Sequence, residues 1–331
     1  MADVVRFGII GTGGIASAFA TDLWAVDGAR LVAVGSRNRA SAERFGAIHD
    51  VPRRHASYQD LIEDDEVDVV YVATPHPLHA ENALAAIAQG KHVLVEKPFT
   101  MDAAQARGVV ATAREKGVLC LEAMWTRFLP HTIEIRRLLA DGALGDVRTV
   151  VADHGQMFAP DPAHRLYAPE LGGGALLDLG VYPVSWAHMV LGTPTSVTSA
   201  SDPTFTGVDG QTSAILRYPH GVHAVVTCTL WATTACRAWI SGTRGTIDVD
   251  PIFYAPTTFT LRRKGAEPER FTLEAGLAGP GKGLRFEAIE VVRCLREGLT
   301  ESPRLPLDET VAIMETLDSI RENAAAAAPG R

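Results

Sequence analysis

The chain's four cysteines, Cys120, Cys228, Cys236 and Cys294, include no CxxC pair. That spacing is what a zinc ribbon or a dithiol redox centre requires. Thiols set in apolar runs instead predict buried, reduced side chains and a cytoplasmic protein. No stretch approaches the about 20 apolar residues of a membrane span. The first apolar run begins at Val4, which leaves no room for a signal peptide. Basic charge is also short: 31 Lys and Arg against 39 Asp and Glu give a net charge of -8, which excludes a nucleic-acid surface. Internal repeats and low-complexity linkers are missing, and no Cys or carboxylate cluster accompanies His76 or His79, so no metal site is expected. What is present is a chain of 331 residues, 47% hydrophobic, long enough for two cored domains.

An apolar run over residues 4–10 leads into Gly11-Thr12-Gly13-Gly14-Ile15-Ala16 and then a helical pattern over 17–24. Strand, glycine turn and helix in that order suit a dinucleotide. The glycines let backbone approach a pyrophosphate, the helix aims its amide groups at the phosphates, and Ala16 lets helix lie on strand. Apolar runs and helical patterns keep alternating to about residue 121, with strands expected at 31–35, 67–73, 92–95 and 118–121. Asp102 is placed to cap the helix that Gly117 closes. This is the pattern of a doubly wound parallel sheet, whose ligands lie at the carboxyl ends of the strands. The loops at Gly11, Ser36, Thr74 and Glu96 are therefore the ones that matter.

The loop after the second strand selects the cofactor. An NAD site places an acidic residue there for the ribose 2′-hydroxyl. Here the loop reads Gly35-Ser36-Arg37-Asn38-Arg39, with no acidic residue between Asp27 and Glu43. Ser36 and Arg37 suit a 2′-phosphate, which favours NADP over NAD. The plainer alternative is that Arg37 and Arg39 are solvated charges at a helix start.

Thr74-Pro75-His76-Pro77-Leu78-His79 follows the third strand and is expected along the nicotinamide side of the cofactor, with His79 at a helix start as a structural hydrogen bonder rather than a catalyst. Glu96-Lys97-Pro98 ends the fourth strand. A charged Lys97 there suits the stabilisation of an alkoxide, unless it is a surface lysine beside Glu96.

Beyond residue 121 the pattern changes to a helix over 131–139 and alternating runs at 147–154, 212–218, 223–231, 237–242, 246–249 and 257–263. These predict long antiparallel strands. Between them lies Leu171-Gly172-Gly173-Gly174-Ala175-Leu176-Leu177-Asp178-Leu179-Gly180-Val181-Tyr182. A helix starting near Gly174 puts Asp178 and Tyr182 on one face, with Pro183 distorting it locally. Tyr182 is either a site residue or an ordinary core aromatic. Two amphipathic helices close the chain over 284–296 and 308–323, the second capped by Asp308, and the end after Ala324 is expected to fray. The fold class expected is α/β: an N-terminal Rossmann doubly wound parallel sheet over residues 1–122, then an α+β domain over 123–331 with a large, mostly antiparallel open sheet.

The glycine turn, Glu96-Lys97-Pro98, and Gly172-Gly173-Gly174 with Asp178-x-Gly180-x-Tyr182 resemble the Gfo/Idh/MocA oxidoreductase family. The stretches Glu122-Ala123-Met124-Trp125-Thr126-Arg127-Phe128, Ser241-Gly242-Thr243-Arg244-Gly245 and Glu301-Ser302-Pro303-Arg304-Leu305-Pro306-Leu307 are similar to its dihydrodiol and NADP-dependent D-xylose dehydrogenase branch. The resemblance implies that Lys97 lies near the nicotinamide, that Tyr182 is the general acid/base and that Asp178 orients substrate hydroxyls. It further implies that Trp125 and Arg127 approach the pocket, with Phe158 as a wall and Arg165 nearby. The segment 271–283 has no match and is expected to line the pocket. A bare face on the second sheet invites a partner, and the branch points to a homodimer through it.

A secondary alcohol loses hydride to the nicotinamide and a proton to a base. A free Tyr has a pKa near ~10, so the Lys97 ammonium is expected to favour the Tyr182 phenolate. The function expected is NADP-dependent hydride transfer to or from a sugar, cyclic polyol or dihydrodiol. Two alternatives remain open: a dinucleotide-binding regulator without turnover, and an enzyme that cleaves glycosides through transient oxidation by nicotinamide.

Overall fold

The computed structural model describes residues 4–272 and 283–327. The chain divides into two compact units, one of Met1–Phe128 with Ala278–Thr310, the other of Leu129–Leu277 with Val311–Arg331.

In the first unit strands and helices alternate: β1 (Val5–Ile10), α1 (Gly14–Leu23), β2 (Ala29–Gly35), α2 (Arg39–Ile48), β3 (Arg53–His55), α3 (Tyr58–Ile62), β4 (Val69–Val72), α4 (His79–Ala88), β5 (His92–Glu96), α5 (Ala103–Lys116) and β6 (Cys120–Ala123). The six strands form one parallel sheet in the order β3-β2-β1-β4-β5-β6. Phe7, Ile9, Val69–Val72 and Val93–Val95 are buried, as strands covered on both faces must be. Successive connections change direction at the β1/β4 pair, which places the ligand crevice of such a sheet at the ends of those strands. Helix caps follow side-chain chemistry: Asn38 accepts from Ser41 N, Ser57 from Asp60 N and Asp102 from Gln105 N, while Gly117 ends α5 in the left-handed region.

The second unit holds α6 (Pro130–Ala140), β7 (Val147–Gly155), α7 (Val181–Leu191), β8 (Ser196–Pro203), β9 (Asp209–Tyr218), β10 (Val222–Thr229), β11 (Ala238–Gly242), β12 (Gly245–Val249), β13 (Phe259–Arg263) and β14 (Glu269–Phe271). Its eight-stranded sheet runs β14-β13-β12-β11-β7-β10-β9-β8, antiparallel except for the β7/β10 pair. Burial alternates along β9 and β10, so one face is covered and the other is open. On the open face Ile215, Val225, Val151 and Trp239 are cross-strand neighbours in one row over β9, β10, β7 and β11.

Four points differ from the sequence reading. A single boundary near residue 122 misses the return of α8 (Arg285–Arg296) to the first unit, where it packs on α1. The last helix, α9 (Leu307–Ala327), starts one residue before Asp308, which lies in its first turn and pairs with Arg114; Glu301 accepts from Leu307 N instead. The helical run starts directly after Gly174, near where the sequence puts it, but as a π-helical turn over Leu176–Gly180 that leads into α7; Gly174 itself lies at φ +121°, where a Cβ would strike the Asp209 carboxylate. The three-residue strands β3 and β14 and the polar, eight-residue β8 carry no strong apolar alternation and fall outside the strands expected from the sequence. Residues 273–282 of the unmatched segment, and 328–331 at the end, lie outside the described residues. Among the described residues no helix is long and apolar enough to cross a membrane.

Candidate active site

In the first unit the candidate cofactor residues stand at the carboxyl ends of β1, β2, β4 and β5. Gly11 has φ +102°, and a Cβ on it would collide with the Ala73 carbonyl, so only glycine lets this turn lie against the end of β4. Gly11 N donates to the Gly35 carbonyl at 3.0 Å, which ties the turn to the end of β2. Gly13 and Gly14 face open space, and a Cβ on either meets nothing within 4 Å. Gly13 caps α1 without a side-chain hydrogen bond, unlike Asn38 and Asp102, so among the described residues no cap side chain covers the first amides of α1. Thr12 is half-buried and Ile15 exposed beside them, while Ala16 and Phe19 anchor the helix, Phe19 stacking on Tyr71 at 4.0 Å.

Ser36 is buried and its hydroxyl accepts from Asn38 N at 3.3 Å, which shapes the loop. Arg37 is exposed, and among the described residues nothing bonds its guanidinium. These residues fit a dinucleotide: open backbone at the glycine turn suits a pyrophosphate, and the loop after β2 carries an exposed guanidinium and no carboxylate.

At the ends of β4 and β5, His79 is fully buried. Its Nδ1 lies 2.8 Å from the Pro98 carbonyl and its Nε2 2.9 Å from the Thr74 carbonyl. Burial, assisted by the Lys97 ammonium, pushes its pKa below the ordinary range, although both carbonyls pull the other way. The ring is thus a strut that joins the Thr74 loop to the Lys97 loop. Thr74 accepts from Asn82 Nδ2 at 3.2 Å, Pro75 is half-buried, and His76 is buried edge-to-face with His79 at 5.6 Å. Glu96 points inward: one oxygen accepts from the Tyr71 hydroxyl and the other from Lys97 N. Lys97 is half-buried at the strand end.

Trp125 is half-buried, and its indole N–H is buried without a hydrogen-bond partner among the described residues. Arg127 lies in the same short helical turn as Trp125. It is buried, with Nη2 2.7 Å from Glu309 and 3.3 Å from the Arg304 carbonyl, an internal link of the first unit. Glu122 is buried near it, and burial pushes its pKa up to about 7.

The second unit brings Asp178 and Tyr182 to one turn. Asp178 belongs to the π-helical turn and Tyr182 to the start of α7, and both are buried. Pro183 supplies no N–H to the Leu179 carbonyl four residues back. That carbonyl accepts from His154 Nδ1 at 3.2 Å. Arg165 grips Asp178 with two bonds of 3.1 Å. Phe158 is half-buried; its ring lies 5.4 Å from His164 and its carbonyl accepts from the Tyr167 hydroxyl.

Three residues around Tyr182 escaped the sequence reading: His154, Gln156 and Tyr254. His154 sits at the buried phase of β7, where alternation alone reads it as core. Polar residues do close the run, Asp153, His154 and Gln156, but nothing in their spacing points to Tyr182. All four cysteines are buried and free. Among the described residues, no group of three or more His, Cys, Asp or Glu is placed to hold a metal ion.

Residues 5–124 match a family model described as an oxidoreductase family with an NAD-binding Rossmann fold, and residues 132–248 match the GFO/IDH/MocA C-terminal domain. The chain belongs to the Gfo/Idh/MocA family of oxidoreductases. It is 36% identical over 330 residues to trans-1,2-dihydrobenzene-1,2-diol dehydrogenase of Bos taurus, covering 96% of each chain. It is 37% identical over 358 residues to D-xylose 1-dehydrogenase (NADP(+)) of Hypocrea jecorina, covering 95% of this chain and 90% of the other. Among solved structures it is similar to aldose-aldose oxidoreductase from Caulobacter crescentus complexed with glycerol, with a TM-score of 0.88, 26% identity and 98% of each chain covered.

Proposed function

We propose that the protein is an NADP-dependent oxidoreductase that moves hydride to or from a secondary alcohol or carbonyl of a sugar, cyclic polyol or dihydrodiol. The observation that carries the cofactor choice is an Arg37 guanidinium without a partner among the described residues, in a loop without a carboxylate. A 2′-phosphate placed there gains a charge-assisted bond, whereas an acidic side chain would repel it. Gly11, Thr12, Gly13, Gly14 and Ile15 would hold the pyrophosphate, and Ser36 and Arg37 the adenosine ribose. Thr74, Pro75, His76, His79, Glu96 and Lys97 would frame the nicotinamide end, His79 and Glu96 by fixing loops. The cofactor, when bound, supplies hydride acceptance and donation.

The chain's own residues manage charge and protons. Lys97 donates a hydrogen bond to the substrate oxygen and stabilises it as an alkoxide. Tyr182 takes the hydroxyl proton during oxidation and returns it during reduction. Asp178, held by Arg165, orients neighbouring hydroxyls, and Trp125 and Phe158 contribute apolar wall. The relatives named for a dihydrodiol and for D-xylose support this substrate class.

A homodimer through the second sheet is part of the same reading. It is supported by the apolar row Ile215, Val225, Val151 and Trp239 on the open face, with Ile215 39% and Trp239 40% exposed. The four buried, unpaired cysteines support a cytoplasmic setting.

One plate tests the function: purified protein with NADP or NAD against aldoses, inositols, anhydrosugars and dihydrodiols, read at the absorbance of reduced nicotinamide. NADPH accumulation with at least one polyol, sugar or diol is expected. Tight cofactor binding with no turnover on any of them would favour a regulator. Release of free sugar from a glycoside without net NADPH would favour transient oxidation.

A further inference from the structure

Tyr182 is one corner of a closed group of side chains in the second unit. His154 stacks on Tyr254, with centroids 4.0 Å apart and planes at 26°. Tyr182 meets the His154 ring at 5.2 Å and 61°, and the Tyr254 ring at 4.8 Å and 35°. Each of the three rings therefore touches the other two.

The polar atoms of this group have defined roles. His154 Nδ1 lies 3.2 Å from the Leu179 carbonyl, and its Nε2 lies 2.9 Å from Gln156 Nε2. A carbonyl can only accept, so Nδ1 carries the proton and Nε2 presents its lone pair to the Gln156 amide. Gln156 Nε2 also donates to the Tyr254 hydroxyl at 3.1 Å. His154 is therefore fixed in one tautomer and one orientation by two partners from different parts of the unit.

We propose that His154, oriented by Gln156 and by the Leu179 carbonyl, is a positioning residue that sets the Tyr182 ring for proton transfer. This rests on the acid/base reading of Tyr182. An apolar ring at position 154 would fill the same space more cheaply, because a buried imidazole with a single tautomer needs every partner supplied. Both of these named partners serve the Tyr182 region. The Leu179 carbonyl is the one that Pro183 leaves without its i+4 donor, one residue beyond Tyr182. Gln156 secures Tyr254, the second ring against Tyr182. The helix start and the phenol ring are thus registered to β7 through one side chain.

The test uses His154→Phe, which keeps a ring but loses both nitrogens, and His154→Asn, which keeps a donor for the Leu179 carbonyl. Turnover, substrate KM and NADPH binding are measured beside Tyr182→Phe and the double variant His154→Phe/Tyr182→Phe. His154→Phe is expected to lower kcat by about 10- to 100-fold, the scale of a small misplacement of a reacting group, with NADPH binding unchanged. His154→Asn should recover part of that loss. The double variant should be no slower than Tyr182→Phe alone, because a residue that acts through Tyr182 has nothing to lose once its hydroxyl is gone.

Wild-type kcat in His154→Phe, or losses that multiply in the double variant, would overturn the proposal. If His154→Phe fails to fold, Gln156→Leu reads the same relay: a several-fold fall in kcat supports it and an unchanged kcat overturns it. If Tyr182→Phe itself keeps full turnover, the acid/base reading fails. If Tyr182→Phe loses turnover while His154→Phe does not, only this inference fails.

Discussion

Arg165 holds Asp178 in a two-pronged grip, each guanidinium nitrogen 3.1 Å from its own carboxylate oxygen, with the Arg side chain 54% exposed and the Asp 5%. Both residues are substrate candidates by sequence, but the geometry makes one the holder of the other. Arg165→Lys keeps the charge and loses the fork. Because Arg165 is largely exposed, its loss should cost at most about 1 kcal/mol of stability. Substrate KM should rise several-fold in Arg165→Lys and further in Arg165→Ala, while the KM for NADP stays put. Steady-state kinetics with each substrate varied in turn checks this.

Arg37→Ala should weaken NADP by about 10- to 100-fold, the scale of a lost charge-assisted bond of about 1.5–3 kcal/mol. Binding of NAD, which lacks the phosphate, should barely change. Titration of both cofactors by fluorescence measures the ratio, and equal losses for the two would count against the 2′-phosphate role.

Two buried groups give stability opposite dependences on pH. His131 is buried with Nε2 3.3 Å from the Phe253 carbonyl, and burial pushes its pKa down to about 4 from 6.5. The native ring stays neutral where the unfolded one protonates. Its contribution is complete above pH 6.5 and is lost as pH falls toward about 4, a change of about 3 kcal/mol. Glu122 behaves in the reverse sense. Burial raises its pKa from 4.5 to about 7, so its contribution is present below pH 4.5 and lost as pH rises toward 7. Urea denaturation should therefore show Glu122→Gln gaining on the parent as pH rises from 4.5 to 7, and His131→Leu gaining on it as pH falls from 6.5 to 4.

The row on the open sheet face predicts assembly. Trp239 and Val151 are direct neighbours across β11 and β7. Val151→Asp puts a carboxylate at the centre of the row, and burying it against a second copy costs several kcal/mol. Light scattering after size exclusion should find a dimer for the parent and a monomer for Val151→Asp. A parent that elutes as a monomer contradicts the dimer.

Much of this fold was legible in the chain because its signals are local. Val69–Val72 reads as a buried strand from its branched residues, and Asp102 and Gly117 bracket α5 by capping chemistry. The turn at Gly11 announces itself because nothing but glycine tolerates it. What was hidden depends on partners far away in sequence. The apolar stripe of α8 says that it packs, not that it packs on α1. Nothing beside Arg127 in the sequence says that Glu309, far along the chain, is its partner. His154 gives no sign in β7 that its nitrogens answer to Leu179 and Gln156. Strands such as β3 and β14 are three residues long and too exposed to carry an alternating pattern.

The central claim is that Lys97 and Tyr182 carry the chemistry at a nicotinamide cofactor. Its most direct test is a single turnover: enzyme preloaded with NADP is mixed with saturating substrate, and reduced nicotinamide is followed in the parent, Lys97→Met and Tyr182→Phe. Both variants should bind NADP like the parent. Tyr182→Phe should transfer hydride about 10²–10⁴ times more slowly, the usual range for a lost acid/base, and Lys97→Met should lose most of its rate. Hydride transfer at the parental rate in either variant would contradict the account.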